Sequence, residues 1–459
     1  MASTAIRISK IRTNSPRRLL LALCVVLVSI WGSACASTPP LTEPEQPGRP
    51  IVILVSLDGW RWDYIERART PRLRALAAAG VRSEGLIPSF PSKTFPNHYT
   101  IVTGLYPDHH GIVSNNMIDP NIGERFSLST ASISDPRWWG GEPLWVTAQK
   151  QGQRAASMFW PGSDAEIAGT RPAFWKLYDG SFPNRERVQQ VLQWLRLPEA
   201  ERPSFITLYF SDTDTAGHNS GPESSDILDA ARAVDREIGV LADGATRIGL
   251  SSRVHYVIVS DHGMSQTSRS RVIVLDDYID VETVSTIDTS PVAGFWPRTV
   301  TADDIYRALK DKHPSMAVYR RAEIPDALHY GTNPRIPPVI GIAADGWTIA
   351  TRAQVRQWDQ SGRQFGGNHG YDPRLRSMHG LFIASGPQFQ RGVTIPPLEN
   401  IHLYEMMAKV LGLRPAPNDG RLDATEGVFR GPGPTLPPFP SLPPSPHLRS
   451  GHPIQNPFR

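Results

Sequence analysis

The run Ile51-Val52-Ile53-Leu54-Val55-Ser56-Leu57, closed by Asp58-Gly59, constrains this chain more than any other stretch. A short, β-branched-rich apolar run bounded by a turn signal reads as a buried strand. Its last side chain is an acid at the C-terminal end, where open α/β sheets place their ligands. A second segment of the same kind follows at Pro91-Ser92-Lys93-Thr94-Phe95-Pro96-Asn97-His98. There the Thr94 hydroxyl stands just before a helix start, where free backbone N–H groups favour an anion. The expectation is that Asp58 holds a metal and Thr94 is the nucleophile that metal activates.

The rest of the chain alternates strands and helices. A helix is expected from Pro71 to Gly80, with proline at its start and glycine at its end. Tyr106 to Gly111 and Ser114 to Met117 read as loops from their Gly, Pro and Asn content. Helical spacing recurs over Arg185–Leu195, Ser224–Leu241, Thr301–Leu309 and Ile401–Leu411, and strands are expected at Phe205–Phe210 and Val254–Val259. The second of these strands ends on Ser260-Asp261-His262-Gly263. This alternation predicts an α/β sandwich, with a central mostly parallel sheet flanked by helices.

The 459 residues divide unevenly. Residues 1–36 carry five basic residues, no acid, and an apolar run from Leu19 to Trp31 followed by small residues, the pattern of a secretory leader. The run is too short for a comfortable membrane span. Ala34-Cys35-Ala36 resembles a cleavage site. Gly32-Ser33-Ala34-Cys35 would instead lipidate Cys35, but glycine stands where a lipobox prefers leucine, which favours simple cleavage. The expected product is a periplasmic or secreted protein with no transmembrane segment, lipid-anchored only if Cys35 is modified. Residues 37–49 are a polar, Pro-rich spacer, 50–430 one catalytic domain, and 431–459, with ten prolines, a disordered tail.

The pI of about 9.1 invites a nucleic-acid reading. Removing the leader's five basic residues takes the formal charge from +4 to −1, so no polyanion footprint remains and no nucleic-acid polymer is expected as a partner. Both cysteines, Cys24 and Cys35, belong to the leader, which leaves the folded part without a disulfide.

The acids and imidazoles at strand ends or tight loops are Asp58, Asp214, His218, Asp261, His262 and His379. Singly, each is ordinary: a strand-terminal Asp forms turns, and a Thr before a helix caps it. Together they make six N/O ligands, enough for two sites of three with room for a nucleophile or water. Without thiolates the set suits Zn²⁺, with Mn²⁺ or Co²⁺ as replacements. Asp214 and His218 are four apart, close enough to chelate one ion.

In order, Leu57-Asp58-Gly59, Lys93-Thr94-Phe95-Pro96-Asn97-His98, Asn115-Asn116-Met117, Asp214-x-x-x-His218-x-x-Gly221-Pro222, Ser260-Asp261-His262-Gly263-Met264 and Met378-His379-Gly380 resemble the nucleotide pyrophosphatase/phosphodiesterase family of the alkaline phosphatase superfamily, in a bacterial, single-domain form. The resemblance runs from about Ile51 to about Gly412. It implies an alkaline-phosphatase-like fold and two zinc ions. One would be held by Asp214, His218 and His379, the other by Asp58, Asp261 and His262 beside Thr94. It also implies Asn115 as a phosphate-oxygen donor, Phe95 and Tyr178 as walls stacking on a nucleobase, and Lys93 and Asp164 as further pocket positions. His109, His110 and His369 read as structural.

The function so implied is hydrolysis of a nucleoside 5′-phosphodiester or phosphoanhydride to a nucleoside 5′-monophosphate, through a phosphothreonine. A sulfatase would need a Cys or Ser nucleophile in a C/S-x-P-x-R setting, which Thr94-Phe95-Pro96-Asn97 does not give, and this disfavours that branch. The alternatives are a phosphodiesterase for lipid headgroups or phosphonates, and an exported metal-binding protein without catalysis.

Overall fold

The computed structural model describes residues 48–128, 131–363 and 365–431. The expected leader, the spacer up to residue 47 and the Pro-rich tail from 432 lie outside the described residues.

The main sheet has eight strands. They are β1 (Ile51–Leu57), β2 (Val81–Ser83), β3 (Ala155–Met158), β4 (Phe174–Lys176), β5 (Phe205–Phe210), β6 (Val254–Val259), β7 (Phe382–Ser385) and β8 (Val393–Ile395). The spatial order is β8-β2-β7-β6-β1-β5-β3-β4. Only β7 runs against its neighbours, so the sheet is mostly parallel, as the alternation of elements predicts. β1 is central. It pairs in parallel with β5, Leu57 opposite Phe210, and with β6, Ser56 opposite Val259. That register brings the C-terminal ends of three neighbouring strands, with Asp58, Ser211 and Ser260-Asp261 just beyond them, to one edge of the sheet.

The apolar run of β1 feeds both faces. Val52 and Leu54 join Tyr99, Trp145 and Met407 on one side, while Ile51, Ile53, Val55 and Leu57 join Leu192 and Ile238 on the other. Each buried aliphatic side chain here is worth about 1.5–3 kcal/mol. The two helical layers include α1 (Pro71–Ala78), α2 (Thr94–Thr103), α3 (Asn184–Leu195), α4 (Asp212–Ser220), α5 (Ser225–Arg247) and α6 (Leu403–Leu411). The first layer holds α2 and α6, the second α1, α3 and α5. α5 runs beyond the expected Leu241 because buried Ala245 continues the apolar stripe and Gly244 leaves room for Leu192.

Two features differ from the sequence expectation. Pro107–His110 forms a short helix inside the expected loop, with proline at its start and Gly111 (φ 82°) ending it. Residues 284–343 build a four-stranded antiparallel sheet, from Val284–Ile287, Val292–Pro297, Val339–Ala343 and Met316–Arg320. Its strands are short and pair with one another, so no single run signals them. Among the described residues no helix is long and apolar enough to cross a membrane.

Candidate active site

Asp58 follows β1 directly and is buried. The Tyr209 hydroxyl donates to its Oδ2 at 2.6 Å, and the Thr213 hydroxyl donates to its carbonyl at 2.5 Å. Its Oδ1 has no hydrogen-bond partner. Gly59 takes φ 64°, and a Cβ there would stand 2.8 Å from the Asp214 Cα. Glycine therefore lets α4 approach the strand end. The Gly59 N–H donates to Asp261 Oδ1 at 3.2 Å, tying the ends of β1 and β6 together.

Three histidines present one free nitrogen each. His218 Nδ1 donates to the Gly367 carbonyl (3.0 Å), His262 Nδ1 to the Gly263 carbonyl (2.9 Å) and His369 Nδ1 to the Ser92 carbonyl (2.9 Å). A carbonyl can only accept, so the Nε2 atoms carry the lone pairs. Those atoms converge. His218 Nε2 is 3.3 Å and His369 Nε2 3.6 Å from Asp214 Oδ1, and His262 Nε2 is 2.9 Å from Asp261 Oδ2 and 3.6 Å from Asp58 Oδ1. Asp214 with His218 and His369 forms one group, and Asp58 with Asp214 and His262 another, each with its ligand atoms within 4.8 Å of one another.

The electrostatics suit a bound cation. Burial pushes the Asp58 carboxyl well up, and the charges of Asp261 and Asp214 push it further. Burial also works against ionised Asp214, but the neighbouring imidazoles, His218 foremost, hold it below its ordinary value. Burial keeps His369 well down, with His262 adding to the effect. Asp58 Oδ1, Asp214 Oδ1 and Asp261 Oδ2 are buried without a hydrogen-bond partner, and such atoms are costly unless a cation or proton meets them. Three carboxylates and three imidazole lone pairs, without thiolate, fit divalent cations of the zinc type.

One expectation needs correction. His379 stands outside every Asp/His group among the described residues. Its Nδ1 lies 3.1 Å from the Arg376 guanidinium. Burial and that cation push its pKa down to about 4, and a fixed positive charge next door opposes a second one. His369, which reads as structural in the sequence, takes the place beside Asp214 and His218. Its only local signal is the surrounding glycines. Gly366 and Gly367 lie so close to α4 that a Cβ on Gly366 would meet the His218 carbonyl at 2.2 Å.

Thr94 opens α2, and its Oγ1 is 3.4 Å from His262 Nε2. Lys93 rather than Thr94 occupies the cap position. The segment is held by His98, which the sequence reading did not single out. The His98 Nδ1 donates to the Thr94 carbonyl (2.8 Å), and its Nε2 accepts from the Ser56 hydroxyl (2.7 Å). Asn115 Oδ1 accepts from the Phe95 N–H (3.0 Å), which leaves its Nδ2 free to donate outward.

The remaining expected positions are scattered around this centre. Lys93 is spent on Asp288, at 2.7 Å, with its side chain only 7% exposed. Phe95 packs against Phe126 and Trp139. Tyr178 is 46% exposed, edge-on to Phe159 and Tyr209. Asp164 is buried, and burial pushes its pKa up to about 6 against the Tyr178 N–H that steadies the anion. His109 is paired with Asp419 on the surface (2.7 Å), and His110 is buried against Tyr99, consistent with structural roles.

A mostly parallel α/β sandwich with acids and imidazoles gathered beyond its central strands, and a hydroxyl at a helix start beside them, defines an alkaline-phosphatase-like protein. Residues 52–372 match the family described as Type I phosphodiesterase / nucleotide pyrophosphatase, and the chain belongs to that family. It is 39% identical over 416 residues to ectonucleotide pyrophosphatase/phosphodiesterase family member 3 of Rattus norvegicus, covering 87% of this chain and 46% of that protein. It is 37% identical to the venom phosphodiesterase of Macrovipera lebetinus, over 87% of this chain and 47% of that one. The chain thus spans about half the length of these curated relatives. The structure of murine ectonucleotide pyrophosphatase/phosphodiesterase 5 superposes with a TM-score of 0.78 at 35% identity, over 83% of this chain and all of that one. An inactive Thr-to-Ala variant of the same murine protein, solved in complex with AMP, gives 0.79 at 34% identity, over 84% of this chain and all of that one.

Proposed function

We propose that this chain is an exported phosphodiesterase/nucleotide pyrophosphatase that hydrolyses nucleoside 5′-phosphodiesters or phosphoanhydrides to nucleoside 5′-monophosphates, with residues 50–430 as its catalytic domain. The observation that carries the reading is the Thr94 hydroxyl, held at the start of α2 and 3.4 Å from His262 Nε2, at the edge of the convergent Asp/His groups. The AMP bound by the murine relative supports a nucleotide as substrate.

Asp58, Asp261, His262 and Thr94 would hold one divalent cation, and Asp214, His218 and His369 the other, with zinc the expected metal. Bound cations supply Lewis acidity, lowering the hydroxyl pKa and offsetting charge on the phosphoryl oxygens. The Thr94 Oγ attacks phosphorus in line with the leaving oxygen, and a phosphothreonine forms. His98, bonded to both Thr94 and Ser56, keeps that oxygen in register with the end of β1. The Asn115 Nδ2 donates to a non-bridging oxygen as charge builds there. Water then cleaves the phosphothreonine. One neutral donor, with no arginine hydrogen-bonded to Thr94 or Asn115 among the described residues, suits a phosphoryl group carrying a single charge, as in a diester. Phe95 and Tyr178 offer aromatic faces for the base.

The test is metal content measured together with turnover of p-nitrophenyl thymidine 5′-phosphate and p-nitrophenyl phosphate. Two metals bound and a diester rate above the monoester rate support the reading. Metal bound without turnover would show a binding protein, and faster monoester turnover would show a phosphomonoesterase.

A further inference from the structure

The turn Asp288-Thr289-Ser290-Pro291 joins the antiparallel strands Val284–Ile287 and Val292–Pro297, which belong to the four-stranded sheet and not to the main one. Asp288 stands in the left-handed region at φ 45°, which Asp and Asn enter more readily than other residues with a side chain. Three donors meet on its carboxylate. Lys93 Nζ (2.7 Å) and the Ser114 hydroxyl (2.5 Å) donate to Oδ2, and Asn116 Nδ2 (2.8 Å) donates to Oδ1. Lys93 immediately precedes Thr94, and Ser114 and Asn116 flank Asn115.

We propose that Asp288 is a positioning residue for the reaction. It clamps the segment that presents the Thr94 hydroxyl to the segment that presents the Asn115 amide, and so fixes the spacing between attacking oxygen and phosphate donor. The inference rests on the function proposed above, in which those two groups meet one phosphoryl group.

The first support is the position of the three contacts. In-line attack needs Thr94 and Asn115 in place together, and a displacement of about 1 Å costs on the order of a hundredfold in rate. The Phe95 N–H already holds Asn115 Oδ1 at 3.0 Å. Asp288 adds a hold on the residue before the nucleophile and on the residues either side of the amide, from a point 172 to 195 positions further along the chain.

The second support is the path of Lys93. Its buried side chain passes Gly370, where a Cβ would stand 3.2 Å from Lys93 Cε. Gly370 follows His369 directly, and its φ of 109° also calls for glycine. In the same turn as Asp288, the Ser290 hydroxyl accepts from Asn368 Nδ2 at 3.2 Å. One turn thus touches the three segments that carry Thr94, Asn115 and His369.

The third support is energetic. A buried ion pair adds little stability over apolar packing of the same volume, and a left-handed residue with a side chain adds strain. Neither favours a plain structural staple. Both are accounted for by a group whose contribution is the geometry of its partners.

The experiment uses the metal-loaded full chain, p-nitrophenyl thymidine 5′-phosphate as substrate, and orthovanadate as a probe of the five-coordinate geometry of phosphoryl transfer. Asp288→Asn keeps the size and the tolerance for a left-handed backbone but loses the charge. Its kcat is expected to fall about thirtyfold or more, with KM within about threefold of wild type and metal content unchanged. The inhibition constant of orthovanadate should rise by the factor by which kcat/KM falls, whereas mere loss of folded enzyme would leave that constant alone. Ser114→Ala and Asn116→Ala each open one arm, should each lower kcat about three- to tenfold, and decide the matter if Asp288→Asn does not fold. Lys93→Met combined with Asp288→Asn should be no slower than the slower single variant, because both open the same clamp. A kcat within twofold of wild type in Asp288→Asn, or in both one-arm variants, overturns the clamp and leaves the proposed function standing. So does a lowered kcat with the orthovanadate constant unchanged, a rise in KM alone, or additive losses in the double variant. No turnover of the ester by the metal-loaded wild type overturns both.

Discussion

The Nε2 atoms of His218 and His369 face each other at 3.1 Å. Each ring has its other nitrogen bound to a backbone carbonyl, so two lone pairs are aimed at one small space that Asp214 Oδ1 also borders. Two acceptors at that distance repel unless a proton or a cation joins them. The two residues are 151 positions apart in the chain.

From this pair follows a prediction about metal content. His369→Ala should lower metal bound per protein and activity together, because two donors are too few to hold an ion. His379→Ala should leave metal content near wild type. Elemental analysis of both purified variants checks it, and metal lost only from the His379 variant would restore the grouping implied by sequence resemblance.

Thr94→Ala removes the attacking oxygen but no charged ligand. Turnover of p-nitrophenyl thymidine 5′-phosphate should fall by roughly 10³-fold or more, with circular dichroism and metal content retained. Thr94→Ser should keep measurable activity. Rates near wild type in the alanine variant at full metal occupancy would remove Thr94 from the mechanism.

Asp164 allows a stability test against pH. Its pKa is about 6 in the folded protein against an ordinary 3.8. The folded state holds the proton more tightly, so the stability from the protonated form is full below 3.8 and is lost as pH rises through about 6. Asp164→Asn has no proton to lose. Relative to wild type it should gain about 1–2 kcal/mol between pH 5 and pH 8. Denaturant midpoints at the two pH values measure this, and parallel profiles would contradict it.

Base stacking is tested by difference. Stacking is worth about 1–3 kcal/mol per base, roughly a five- to hundred-fold change in kcat/KM. Phe95→Ala and Tyr178→Ala should slow nucleotide esters by that range and barely affect bis-p-nitrophenyl phosphate, which has no base. Equal loss on both substrates would assign the rings to packing.

Export predicts a mature N-terminus near Ser37, or at a lipidated Cys35. Mass spectrometry of protein from the native host separates the two. An intact chain from Met1 in a cytosolic fraction would rule out both.

Much of the fold was legible in the sequence because it is written locally. An apolar run such as Ile51–Leu57 has one way to hide both faces, and a stripe such as Ile227, Ala231, Val234 and Ile238 has one period. The bounds of Phe205–Phe210 and Val254–Val259 are those expected. Asp58, Asp214, His218, Asp261 and His262 were visible for the same reason, as polar groups at strand ends or one helical turn apart. The short strands of residues 284–343 were not, since each is stabilised by a partner strand and carries little pattern of its own.

Tertiary structure alone decided which histidine completes the first group. His369 and His379 look alike in sequence, each followed by a glycine in a loop. They are told apart by their neighbours: the Ser92 carbonyl and His218, brought from across the fold, for one, and the Arg376 guanidinium, three residues away in the chain, for the other. The same holds for Lys93, whose charge is free in sequence and paired with Asp288 in space. Patterns of burial repeat along the chain and can be read from it. The position and free lone pair of a buried side chain depend on neighbours brought in from hundreds of residues away, and those are set only when the sheet and its helices have closed.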